Sequence, residues 1–403
     1  MVSGSVENAI SRKGYRKDGR AIKPKQIMIG LMVGSRRCGK TTLMYSMVRE
    51  LQTMDQASLT IEPADEASAA AFAGWETDIV KFAKAPHINV GIRPSFALET
   101  YEFFLYDKKN PGSDVFLFRF IDVPGEWIRE REHDADMDAL IAAADVLYLT
   151  VNAPSVVEDE GAHKDLFVNA EKIMQLSEKL NVDKGNGKLL LLVPLMAEKY
   201  YWNRFTHKTP TLSEVTKATK RLYAQLIATV KTADDMALAV TPVLTVGGVV
   251  FSRFDANNDM HFSWSDSGVV NAEHFSPRFC EQPMLYTLRF FCEKLYSRGK
   301  TEGLARFFRD VKQQGLSNAW YYAFNDPMYN CLTNTTACAD FTGFTADDLL
   351  STEAAGNFQK LRNYPVGLYL NLDFLGLELI HDPQNIYYSV QPMDSVARPD
   401  SGR

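Results

Sequence analysis

The chain has 403 residues, 46% of them hydrophobic, enough to bury a large core in one to three domains. Its formal net charge of −6 is unevenly carried: residues 1–25 hold Arg12, Lys13, Arg16, Lys17, Arg20, Lys23 and Lys25 against Glu7 and Asp18, leaving a mildly acidic body. That balance argues against a nucleic-acid-coating protein; no apolar run reaches the roughly 18–20 residues of a membrane span, no secretory-leader pattern is seen, and five scattered cysteines without a CxxC pair suit a reducing cytoplasm with no structural zinc.

Residues 1–25 read as a flexible basic arm, solvated and capable at most of a weak contact with an anionic surface. The apolar run 26–33 reads as a buried strand and residues 40–52 as a helix. Between them, Gly34-Ser35-Arg36-Arg37-Cys38-Gly39-Lys40-Thr41 is a complete GxxxxGK[ST] phosphate loop in the strand–loop–helix context that the motif requires. Its glycines let backbone amides, with those of Thr42 and the helix N-terminus, close around phosphate oxygens. Lys40 is expected at the β- and γ-phosphates and the Thr41 hydroxyl on Mg²⁺. Arg36 and Arg37 are expected in solvent or beside an acidic neighbour, with contact to a nucleotide's phosphates in cis or in trans as the alternative. Cys38, just ahead of a helix, is expected to be reactive and shielded by bound nucleotide.

Residues 64–85 show a helical apolar face (Ala71, Phe72, Trp75, Ile79, Phe82). Strands are expected at 100–107 and 115–121, and the turn cluster 108–114 joins them as an antiparallel hairpin. The second ends in Asp122-Val123-Pro124-Gly125-Glu126. An Asp at the end of an apolar strand behind a phosphate loop is placed to hold Mg²⁺ through water, and Gly125, lacking a Cβ, lets its N–H approach the γ-phosphate. Further strands are expected at 146–151, 189–193 and 238–246, with helices near 160–181, 211–232 and 283–298. This alternation predicts an α/β fold: a three-layer sheet, mostly parallel with one antiparallel strand. The chain divides into the arm 1–25, a nucleotide-binding domain 26–298 with an inserted helix at about 55–85, and a small α+β extension 299–403 of unassigned role, with a helix at 300–314 and a strand at 368–374.

On the phosphate loop, the Asp122-Val123-Pro124-Gly125 segment after a hairpin and the strand spacing, residues 26–298 resemble the Ras-like, translation-factor-related class of P-loop GTPases. The resemblance implies a six-stranded sheet, Mg²⁺-dependent GTP hydrolysis, a partner or activating protein, and two switch segments at 86–99 and 123–137. The pairing of Asp-x-Pro-Gly-Glu with Thr241-Pro242-Val243-Leu244-Thr245-Val246-Gly247-Gly248 is similar to a bacterial branch from multi-gene conflict and defence loci. The chain departs from the class pattern in three places. Glu126 stands where minimal members carry a water-orienting Gln. Leu195-Met196-Ala197-Glu198 stands in place of the guanine-reading Asn-Lys-x-Asp, with Glu198 expected either as the base-reading carboxylate, covered by Met196, or as a surface residue beside Lys199. The gap between Thr41 and Asp122 is long, so the metal ligand of the first switch falls to Ser95, in a loop context, ahead of Thr100. Val246 and Gly247 are expected to offer backbone N–H groups to the purine O6. Lys40 and Glu126 are the candidate catalytic pair. ATP remains the alternative nucleotide, and an ATPase regulatory subunit or a nucleotide-bound scaffold with little turnover the alternative functions.

Overall fold

The computed structural model describes residues 2–290, apart from 54–58, 86–96, 108–115, 129–130, 168–174, 181–186, 234–235, 265–274 and a few single positions, together with 378–381. Strand β1 (Ile27–Val33) leads through the phosphate loop into helix α2 (Lys40–Thr53); β2 (Leu59–Pro63), α3 (Glu66–Lys84), β3 (Glu99–Asp107) and β4 (Phe116–Asp122) follow. Helix α4 (Asp134–Ala143), β5 (Val146–Asn152), β6 (Lys188–Leu195) and β7 (Met236–Val240) complete the central part. Among the described residues, β8 (Val249–Phe254) and β9 (Met260–Trp264) form a separate hairpin, and β10 (Glu378–His381) lies at the sheet edge.

The main sheet has eight strands in the order β10-β7-β6-β5-β1-β4-β3-β2. The five strands β4, β1, β5, β6 and β7 are parallel neighbours, while β3 opposes β4 and β10 opposes β7. The expected class therefore stands, with more strands than the six implied and two reversed rather than one. The additions, β2 and β10, are short edge strands that give weak sequence signals.

Alternation along the strands builds the layers. In β6, Leu189, Leu191, Val193 and Leu195 enter one buried cluster, and Leu190 and Leu192 the other. In β1, Met28 and Met32 face the first, and Ile29 and Leu31 the second. A strand buried on both faces must be apolar throughout, which is why these runs are continuous. The first face receives α2 through Leu43, Met44, Met47, Val48 and Leu51, and α3 through Trp75 and Ile79. Asp65 starts α3 by accepting from the Ser68 N–H at 2.6 Å, an ordinary N-cap. The expected strand 238–246 ends at Val240: Pro242 has no N–H for a ladder, although Thr241 and Val243 still donate to Leu192 and Pro194 carbonyls at 2.9 and 3.2 Å. The expected helix 300–314 and strand 368–374 lie outside the described residues.

The N-terminal segment corrects the expectation of a loose arm. Helix α1 (Gly4–Ala9) buries Val6 and Ala9 in the cluster that holds Met137, Leu140 and Ile141 of α4. The Ser3 N–H donates to Asp136 Oδ1 at 2.8 Å. Arg12 donates to Ile27 O at 2.6 Å, Ala143 O at 3.1 Å and Asp145 Oδ2 at 2.9 Å. Arg119, buried in the middle of β4, donates to the carbonyls of Ala9, Ser11 and Lys13 and to Glu102 Oε1. A buried guanidinium needs acceptors for its five donors, and the returning N-terminal backbone supplies them. Lys17 and Arg20 are paired with Glu62 and Asp18, so the basic charge of this segment is partly neutralised within the chain.

Replacing Arg119 by Met strands Glu102 and three carbonyls; urea unfolding is expected to show a loss of about 3 kcal/mol, with faster proteolysis before residue 20. A loss below about 1 kcal/mol, the level of an exposed pair, would show that the clamp contributes little.

Candidate functional site

The phosphate loop lies at the carboxyl ends of the parallel strands, the usual ligand crevice of an open α/β sheet. Arg37 and Gly39 take positive φ values of 61° and 91°, turning the backbone around the crevice. A Cβ at Gly34 would fall 1.8 Å from Thr150 Oγ1, so only glycine fits there. Lys40 is buried; its Nζ donates to Gly34 O at 2.9 Å and Ser35 O at 3.3 Å and lies 4.0 Å from Asp122 Oδ1. The register between β1 and β4 sets Met32 opposite Asp122. It brings the Asp122 carboxylate to the start of α2, where the Thr41 hydroxyl lies 3.4 Å from Asp122 Oδ2. Among the described residues no group of three or more His, Cys, Asp or Glu side chains is poised for a metal. One hydroxyl and one carboxylate at a phosphate loop are the hard, sparse oxygen set that suits Mg²⁺, which fills its shell with water and substrate phosphates. These residues fit that ion.

The segment after Asp122 is seated on the loop. A Cβ on Gly125 would lie 2.1 Å from Arg36 N and 2.7 Å from Ser35 C. Arg36 Nη1 lies 3.5 Å from Glu126 Oε1. Glu126 Oε2 is buried and has no hydrogen-bond partner among the described residues. His133 stacks on Trp127 at 4.2 Å between ring centroids.

Met196 (φ 58°) lies beside Gly39, and Glu198 opens the helix Glu198–Phe205. Glu198 is 3% exposed. Its Oε1 accepts from the Val246 N–H at 3.1 Å and the Gly247 N–H at 3.5 Å. The structure thus brings together the three residues expected to read a base, but satisfies them with one another. Burial pushes the Glu198 carboxyl up to about 6, and the backbone amides act in the opposite direction. The loop is pinned further by Ser46 Oγ donating to Thr245 O at 3.1 Å and Trp202 Nε1 to Gly247 O at 3.3 Å.

Other expectations meet the structure unevenly. Cys38 is 1% exposed and its Sγ lies 2.9 Å from Thr150 Oγ1; the thiol is tucked beneath the loop, which corrects the expectation of a reactive cysteine shielded by nucleotide. Thr42 is half-buried in the first turn of α2. Ser95 lies outside the described residues. The sequence reading missed the β8–β9 hairpin, whose tip reaches the site: Arg37 Nη1 pairs with Asp259 Oδ1 at 3.0 Å, and Asn152 Nδ2 contacts Met260 Sδ at 3.1 Å and Met196 Sδ at 3.5 Å. The polar run Asp255-Ala256-Asn257-Asn258-Asp259 between two short apolar runs was the available signal. Ser35 Oγ donates to Phe167 O from the short helix Lys164–Phe167, a contact no motif announces.

The Glu198 geometry carries a pH dependence. Its folded-state value of about 6 exceeds the ordinary 4.5, so the folded chain holds a proton that the unfolded chain releases. Stability therefore falls as pH rises from about 4.5 to about 6, by about 2 kcal/mol for this group. Glu281, buried near Glu50 and pushed up to about 7, adds its own slope. Glu198→Gln keeps an acceptor for the loop and removes the titration. Urea unfolding across pH 4–8 is expected to show the variant gaining about 2 kcal/mol on the wild type between those limits; parallel curves would show that Glu198 does not titrate there.

Among solved structures, the chain is similar to the signal recognition particle receptor SRb-GTP/SRX complex from Chaetomium thermophilum, at 12% identity and a TM-score of 0.34, over 55% of this chain and 91% of that one. It is similar to the S. cerevisiae Ski7 GTPase-like domain bound to GDP and inorganic phosphate, at 13% and 0.35, over 68% and 51%. It is also similar to the cytosolic domain of L. pneumophila FeoB, at 13% and 0.23, over 76% and 98%. A search of the curated proteins found no match. The family model described as Double-GTPase 2 matches residues 27–234, from β1 to the residues just ahead of β7. That span holds the phosphate loop, Asp122 and Gly125 and covers just over half of the chain, which thus belongs to the Double-GTPase 2 family, a family of P-loop GTPases.

Proposed function

We propose that the chain prefers GTP to ATP and that the residues gathered at the phosphate loop carry its Mg²⁺-dependent hydrolysis as a molecular switch. The observation that carries this reading is the convergence of Lys40, Thr41 and Asp122 within about one hydrogen-bond layer of each other. Lys40 exchanges its loop carbonyls for the β- and γ-phosphate oxygens. Thr41 and Asp122 would hold the ion, with Ser95 of the first switch segment proposed as a further ligand. When bound, Mg²⁺ neutralises charge that develops on the phosphates. Gly125 lifts from the Ser35–Arg36 peptide as the terminal phosphate enters, and Glu126 orients water.

Base preference follows from the chemistry of the pinned loop. Guanine offers two donors, N1–H and the 2-amino group, beside one acceptor, O6. This edge is complementary to a carboxylate beside backbone N–H groups, so guanine is able to replace the Glu198 contacts with Val246 and Gly247 without leaving any group unpaired. Adenine has neither donor at that edge: its N1 is an acceptor that would face the carboxylate and its 6-amino group a donor that would face the backbone N–H groups, so buried polar groups are left unsatisfied, at a cost of about 1–3 kcal/mol each. A second reading, a nucleotide-bound scaffold with slow turnover that awaits an activating protein, is favoured by Glu126: a carboxylate cannot donate to the γ-phosphoryl oxygens as Gln does. Free thiols at Cys38 and Cys280 suit a cytoplasmic setting; no helix of the described residues is long and apolar enough to cross a membrane.

Lys40→Ala is expected to weaken binding of fluorescent GTP by about 100-fold, since charge-assisted hydrogen bonds are worth about 1.5–3 kcal/mol, in a chain that is still folded by circular dichroism, with a lower thermal midpoint because Asp122 loses its buried cation. Wild-type affinity in the variant would refute the site. Competition between GTP and ATP, with and without Mg²⁺, tests the base assignment: equal affinities would remove Glu198 and the 246–247 amides from it.

A further inference from the structure

We propose that Arg36 is a positioning residue for Glu126: the guanidinium holds one carboxylate oxygen and leaves the other directed at the attacking water. This deepens the hydrolytic reading above and rests on it.

Three observations carry it. The first is the ion pair, Arg36 Nη1 to Glu126 Oε1 at 3.5 Å, between the phosphate loop and the segment that follows Asp122. The second is the backbone beneath it: Gly125 sits so close to the Ser35–Arg36 peptide that a Cβ would overlap Arg36 N. The two segments are thus in register, and the side chains that follow each contact are held opposite each other. The third is the asymmetry of the carboxylate. Oε1 faces the guanidinium, while Oε2 is buried with no hydrogen-bond partner among the described residues. A buried oxygen without a donor is costly unless something occupies it; a water aligned for attack supplies the donor.

The pairing also answers an electrostatic difficulty. A carboxylate near a triphosphate repels it, and more strongly away from bulk water. A guanidinium on the carboxylate offsets that repulsion without donating to the reacting oxygens. With side chains 45% and 35% exposed, the pair adds little to fold stability; its value lies in orientation. The neighbouring arginine has a different partner, since Arg37 pairs with Asp259 of the hairpin tip. Arg36 is therefore the loop arginine that serves the segment after Asp122.

The test is a double-mutant cycle on the full-length chain. Single-turnover GTP hydrolysis and GDP affinity are measured for the wild type, Arg36→Gln, Arg36→Lys, Glu126→Gln and the Arg36→Gln/Glu126→Gln double variant. Arg36→Gln is expected to lower the hydrolysis rate by about 10- to 100-fold, the scale of a misplaced acid–base group, with GDP affinity within about threefold of wild type as expected for a lost exposed pair. Arg36→Lys restores part of the rate. In the Glu126→Gln background, the Arg36→Gln change has no further effect. Equal Arg36→Gln effects in both backgrounds would mean that Arg36 acts on the nucleotide directly, and would overturn the proposal, as would an unchanged rate. A wild-type chain that binds GTP and releases no phosphate would overturn the hydrolytic reading and this proposal with it; turnover with additive effects overturns this proposal alone.

Discussion

Asp122 is 1% exposed, 4.0 Å from the Lys40 ammonium and 3.4 Å from the Thr41 hydroxyl. Burying a carboxylate this completely is tolerable only beside a cation and donors, and the site is arranged around that requirement. The parallel register of β1 with β4 sets the carboxylate level with the mouth of the phosphate loop. The core beneath, with phenylalanines at 116, 118 and 120 on one side of β4, keeps the strand from slipping. A shift by one residue would exchange the two faces of β4 and remove Asp122 from the loop.

Around this centre the phosphate loop touches several other parts of the chain. Arg36 meets Glu126, Arg37 meets Asp259, and Ser35 donates to the Phe167 carbonyl. Thr150 on β5 fills the space that a side chain at Gly34 would need. The loop is therefore a junction as well as a cradle. It touches the segment after Asp122 through the Gly125 contact and the β8–β9 hairpin through Arg37. Contacts of this kind are what binding must alter if it is to bias two states.

The opposite end of the crevice is held by Glu198. Its carboxylate gathers the amides of Val246 and Gly247, and the loop passes directly into β8. The loop held by Glu198 and the hairpin are thus consecutive parts of one stretch of chain. At the far side of the sheet, Arg119 and Arg12 draw the N-terminal segment against α4, the helix that follows the Gly125 turn. Elements distant in sequence are connected here through charged side chains that bond to backbone groups, with Glu198 and Arg119 buried and Arg12 partly exposed.

The phosphate loop, its strand and helix, the hairpin ending in Asp122 and the alternation of the central strands were legible in the residues, because each is specified locally. A run of apolar side chains, a glycine that admits a tight turn and a Lys-Thr pair at a helix start carry their meaning within a few positions. Glu198, Val246 and Gly247 were also identified, but not that they bind one another. The docking of residues 4–13, the inward turn of Cys38, the β8–β9 hairpin at the loop and the Arg36–Glu126 pair were not legible. Each depends on where a side chain finds its partner across separations of tens to hundreds of residues. The sequence by itself determined which chemistry is present and on which strand ends it stands. Only the tertiary structure decided which charged and polar groups face one another, because that follows from strand register and layer packing, which no local pattern encodes.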